Sequence, residues 1–263
     1  DMSYMFYDSH QYAVFLDNWN VSNVQNMKSM FEQNEFVNSF SRSSSNDPNK
    51  VFHSWNVGNV TNMSSMFSQT GTIVGDFSKW NVSKVEDMSY MFDRTNFNSN
   101  ISAWNVSRVT NMSHMFNGAY YFNQDIGDWN TSSVNSMRAM FRSTSSYNQP
   151  IGDWNTSNVT DMSYMFEAAQ VFNQPIGNWN TSKVLGMTAM FNSTKVFNQP
   201  IEEWDVSNVT NMRWMFRQAE GFNQNISTWN VAKVTDCLQF ANIGPSYGTG
   251  ANTVIPNFEN CVP

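Results

Sequence analysis

Three histidines, two cysteines and a scatter of carboxylates are the side chains in this 263-residue chain that could carry chemistry. His10, His53 and His114 stand far apart, and none has a second His or a Cys at metal-ligand spacing. Glu202 and Glu203 are neighbours in sequence, which does not make them an acid/base pair. Asp128, Asp153, Asn178 and Glu203 each precede a tryptophan and read as a weakly acidic, solvated stripe. No glycine-rich phosphate loop and no nucleophile motif is present. The residues therefore point away from an enzyme, a metal and a cofactor.

What must position any functional side chain here is a repeat. Nine tryptophans recur, at Trp19, Trp55, Trp80, Trp104, Trp129, Trp154, Trp179, Trp204 and Trp229. After a first interval of 36 residues the spacing is 24 or 25. A Met-Phe pair keeps the same register, from Met30–Phe31 to Met215–Phe216. The long first interval implies an insertion near residues 39–50, whose Ser-rich composition is that of a loop. The chain opens on "DMSYMF", the tail of a unit, and so reads as a piece of a longer protein with a partial first repeat.

Within one unit, Val159, Met162, Met165, Phe166, Ala169 and Phe172 lie at offsets 0, 3, 6, 7, 10 and 13. That spacing predicts a short helix or 3₁₀ segment over residues 158–168, capped by Ser157. The following "FNQPIGNW" predicts a strand of three or four residues, broken near Pro150, Pro175 and Pro200. The expected fold is an α/β solenoid of ~25-residue coils, each a short strand plus a short helix or 3₁₀ turn. The solenoid spans 1–242, and a non-repeat cap closes it over 243–263. Methionines on the apolar face are core filler.

Two asparagine columns recur, one after each Trp and one after the later Phe, and both read as internal ladders. Many of these residues head glycosylation triplets, but glycans on every coil of the Trp column would collide. Asn100, Asn192 and Asn225 remain candidate acceptors. Both cysteines, Cys237 and Cys261, fall at the end of the array and are expected to form a bridge that pins the cap. Two separate thiols are the alternative.

The pattern W-N-[VT]-S-x-V-x-x-M-x-x-M-F, carried most clearly by "VTDMSYMFEAAQVFNQPI" at residues 159–176, resembles the BspA-type leucine-rich repeat family in its Met-rich variant. That variant is common in mycoplasma surface lipoproteins and in other bacterial and microalgal surface proteins. The resemblance implies a right-handed leucine-rich-repeat-like array, a role in surface adhesion or protein interaction, and no catalytic motif.

Composition narrows the partners. The net charge is −7, with 14 basic and 21 acidic residues, too few cations to displace counterions from nucleic acid. No apolar run approaches the ~20 residues that span a bilayer. With only 13% charged residues, polarity rests on Asn and Ser, which suits an extracellular or cell-surface setting. The expected function is a non-catalytic repeat module that binds a protein or glycan on another cell or matrix. A structural spacer or filament subunit, recognised by self-association, is the alternative. Where the repeat varies, a partner could be read: the column holding Tyr4, Tyr90, His114, Tyr164 and Trp214 falls, on a helix, opposite the preceding Met and should face solvent.

Overall fold

In a computed structural model, the described residues are 1–9, 16, 19–34, 52–71, 73, 75–241 and 253–261. The coils do stack, but not as an α/β solenoid. Among the described residues there is no helix and no extended strand. Each coil is a succession of tight turns, and the coils meet through isolated parallel bridges, one after another: Asn111 to Ser136, Ser136 to Asp161, Asp161 to Gly186, Gly186 to Asn211. The expectations of a helix over 158–168 and a strand in the "FNQPI" block are both overturned. The insertion near 39–50, His10 and most of the junction into the C-terminal segment lie outside the described residues.

The backbone hydrogen bonds give the physical reason. A helix needs each N–H to reach the carbonyl four residues back. Here the amides divide between two other partners. Those of Met162, Tyr164, Phe166 and Ala168 donate to Gly186, Thr188, Met190 and Asn192 of the next coil, at 2.7–3.0 Å. Those of Met165, Glu167 and Ala169 close turns onto Met162, Tyr164 and Phe166, three residues back. Val159 on Thr156 and Phe172 on Ala169 do the same. A chain of three-residue turns returns every third side chain inward, and that imitates a helical apolar stripe. The register was right; the hydrogen-bond partner was in another coil.

The turns require left-handed backbone at non-glycine residues. Tyr164 and Ala168 have φ of 62° and 56°, and the equivalent pairs repeat along the array. Such a conformation costs roughly 1–2 kcal/mol for an L-residue. The cross-coil hydrogen bonds and the burial that the turns allow offset that cost.

Val, Met, Phe and Ile columns fill the interior, with Met162, Met165, Phe166, Phe172 and Ile176 all fully buried. Burying each large side chain contributes about 1.5–3 kcal/mol. Phe rings of successive coils stack, as Phe141 on Phe166 at 5.8 Å and Phe166 on Phe191 at 5.7 Å. From Trp55 to Trp229 the indole N–H of each repeat tryptophan is satisfied by the coil before it: Trp154 donates to the Ile126 carbonyl and Trp179 to that of Ile151, both at 3.0 Å.

Tryptophans of successive coils stack nearly parallel, with Trp55–Trp80 at 6.3 Å, Trp80–Trp104 at 6.2 Å and Trp179–Trp204 at 6.3 Å.

The two asparagine columns are not internal. Those after Trp are exposed, and each accepts its own coil's N–H two residues on, as Ser157 N–H to Asn155 Oδ1 at 3.1 Å. This is a local Asx turn, not a ladder. The second column does stitch coils, but at the surface. Asn173 Oδ1 accepts both the Asn198 N–H at 2.9 Å and the Gln199 side chain at 3.0 Å. At the far end Cys237 and Cys261 are joined, with 2.09 Å between sulfurs. Val254 bridges Asn225, and Phe258 packs on Phe240.

Candidate functional site

Beside the bridged turns runs a position that varies in residue type from coil to coil. Tyr4, Tyr90, His114, Tyr164 and Trp214 all occupy the left-handed corner of the same turn, with φ between 57° and 62°. The corner aims each side chain away from the core. Tyr4 and Tyr90 are exposed, whereas His114, Tyr164 and Trp214 are half-covered by neighbours. Ser29, Ala139 and Ala189 hold the same position and are buried beneath larger side chains. The solvent-facing geometry expected for a helix thus arises from a turn corner instead, and only part of the column is open.

Cations cover the aromatic rings. The Arg138 guanidinium lies 4.7 Å from the Tyr164 ring centre and that of Arg142 lies 5.7 Å away. Arg213 lies 4.4 Å from the Trp214 ring, and Lys28 lies 6.0 Å from that of Tyr4. Arg142 also pairs with Glu167, and Arg138 with Asp161 at 3.4 Å. Contacts of this kind contribute about 0.5–1 kcal/mol each where exposed. They restrain the side chains that they join.

Tyr90 and His114 stack face to face at 4.3 Å. Below them Asp93 is 95% buried, its carboxylate accepting from Asn117 and, at 3.5 Å, from Ser68. Burial pushes the Asp93 carboxyl up, against the opposing pull of Asn117 and Arg94. Burial also brings His114 down to about 4, helped by the positive charges of Arg138 and Arg142. His114 is therefore neutral near pH 7.

Serine, histidine and aspartate thus meet in one cleft, but not as a catalytic triad. No hydrogen bond joins His114 to Asp93, Ser65 or Ser68, and Asp93 is engaged by Asn117. A nucleophile needs a base in hydrogen-bond reach that is oriented by a third group. His53 pairs instead with Asp76 at 2.8 Å on the surface. Glu202 and Glu203 are both exposed. Among the described residues no three His, Cys, Asp or Glu side chains are placed to hold a metal ion.

The candidate glycosylation sites separate. Asn100 and Asn225 are exposed, each accepting from the serine two residues on. Asn192 is buried, with its amide nitrogen donating to Glu167 at 2.8 Å.

Sequence reasoning picked out the aromatic corner but missed Asp93, Asn117, Arg94 and Arg142. These follow the Met-Phe pair by one or two residues. The available signal was that this column alternates acids, amides and arginines beside an invariantly apolar pair.

The sequence matches the family described as "Mycoplasma protein of unknown function, DUF285" over four overlapping stretches, residues 1–95, 36–150, 68–171 and 144–244. No curated protein matches the chain.

Proposed function

Taking as premise that the chain belongs to the DUF285 family, we propose that it is a non-catalytic, extracellular or cell-surface repeat module that mediates protein–protein contact or cell adhesion. One observation carries the reading. The interior columns hold to a few residue types, while the turn corner runs through Tyr90, His114, Tyr164 and Trp214, with arginines laid over Tyr164 and Trp214. Rigid aromatics beside arginine are the residue types that dominate binding energy at interfaces. The Cys237–Cys261 bond supports an oxidising compartment. The resemblance to BspA-type surface repeats points the same way. No helix among the described residues is long and apolar enough to cross a membrane.

The test is adhesion. Beads coated with the chain should bind some surfaces in a panel of cells and matrix proteins more than beads coated with heat-denatured chain. Tyr164→Ala with Trp214→Ala should lower that binding several-fold while leaving the circular dichroism spectrum unchanged. Alanine already occupies the same corner at Ala139 and Ala189, so the double variant should fold. Uniform absence of binding across the panel defeats the reading.

A further inference from the structure

The cleft beside Tyr90 has a chemistry that narrows the ligand. It encloses about 390 Å³, within the ~300–1,000 Å³ of small-ligand sites. One wall is the Tyr90 ring, 39% exposed and backed by the His114 imidazole that stacks on it. Asp93, Ser65 and Arg94 are among the residues that line the rest.

Charge does not select the ligand. Arg142 is paired with Glu167, Arg94 shares the cleft with Glu32 and Asp93, and His114 is neutral near pH 7. An anion would meet two carboxylates, and a cation two guanidiniums. Nor does the cleft suit a peptide anchor, because no aliphatic side chain lines it. An interface hot spot places an aromatic or aliphatic anchor in a desolvated pocket, and here the only apolar surface is the flat aromatic wall.

What fits is a molecule with one apolar face and an edge of groups that both donate and accept. A pyranose ring is built that way. Its C–H face can lie on the Tyr90 ring, while vicinal hydroxyls donate to Asp93 and accept from Ser65 and Arg94. Asp93 has acceptor capacity left, because a carboxylate takes about four hydrogen bonds and two are supplied by Asn117 and Ser68. We infer that this cleft binds a neutral saccharide, one sugar ring against Tyr90 with its hydroxyls on Asp93 and Ser65. The inference rests on the binding-module reading and names the ligand class of one site on that surface.

The experiment titrates the whole chain with methyl glycosides of neutral hexoses and N-acetylhexosamines, followed by saturation-transfer NMR and by shifts of the Tyr90 and His114 ring protons. At least one glycoside should bind with a Kd of about 1 mM or tighter. Tyr90→Ala should weaken it about tenfold, Tyr90→Phe should retain it, and Tyr121→Ala, at an exposed position outside the cleft lining, should not change it. The amide spectrum checks that each variant is folded. No binding across the panel, binding indifferent to Tyr90→Ala, or tighter binding of inorganic phosphate or an acidic sugar overturns the inference. Adhesion that depends on Tyr164 and Trp214 without any saccharide binding sinks this inference alone. Absence of adhesion in the unaltered chain sinks the broader reading.

Discussion

A Cβ placed on Gly152 would stand 2.5 Å from the carbonyl oxygen of Pro175 in the next coil, closer than such atoms approach. Gly127 and Pro150, and Gly177 and Pro200, repeat the relationship at 2.6 and 2.7 Å. Where the following coil carries Asp125 or Asn225 in place of proline, the glycine position holds Ser102 or Glu202. The two columns are therefore coupled across coils. Gly152→Ala should destabilise by about 1–3 kcal/mol, the range of overpacking in a filled site. Pro175→Asn should relieve part of it, and a double-mutant cycle read by urea denaturation gives the coupling. Additive effects would contradict the contact.

The asparagine columns predict unequal costs. Asn155→Ala removes one local hydrogen bond at an exposed turn, whereas Asn173→Ala removes two that cross to the next coil. At about 0.5–1.5 kcal/mol for each hydrogen bond, Asn173→Ala should cost roughly 1 kcal/mol more. Equal urea midpoints for the two variants would restore the idea that both columns stitch coils.

Reduction should loosen one end. The bond joins residues separated by 24 positions, and closing a loop of that size stabilises by about 3 kcal/mol. In a stacked array each coil contacts only its neighbours, so the loss should be local. With Cys261→Ser, or after dithiothreitol, hydrogen exchange should rise at Val234 and Phe240 and stay unchanged at Val134 and Phe141. Faster exchange throughout would show that the terminal bond supports the whole stack.

His114 gives the pH dependence. Its folded value is about 4 against an ordinary 6.5, so the unfolded chain takes up a proton that the folded protein resists. Stability is then undiminished by this group above about pH 6.5, falls as the pH drops from about 6.5 toward 4, and levels below that. Asp93, whose carboxyl is raised, contributes in the opposite direction through the carboxylate range. The His114 ring-proton titration should have its midpoint near 4, and His114→Ala should flatten the decline between pH 6.5 and 4. A midpoint at the ordinary value would mean that the ring stands in water.

The repeat, its period and its large apolar inward columns were readable from the sequence, because Trp154, Met162, Met165, Phe166 and Phe172 recur in copy after copy at offsets that only a shared interior demands. The conformation that delivers them was not. A helix and a run of three-residue turns both bring Met162 and Met165 to the same side. The choice depends on whether the Phe166 amide bonds four residues back or to Met190 in the next coil. That partner is 24 residues away and exists only once the coils are stacked. The same holds for Asn155 and Asn173, alike in type and recurrence but different in burial and reach, and for the cleft at Tyr90. Its lining residues come from several coils, and only the stacking of those coils brings them together.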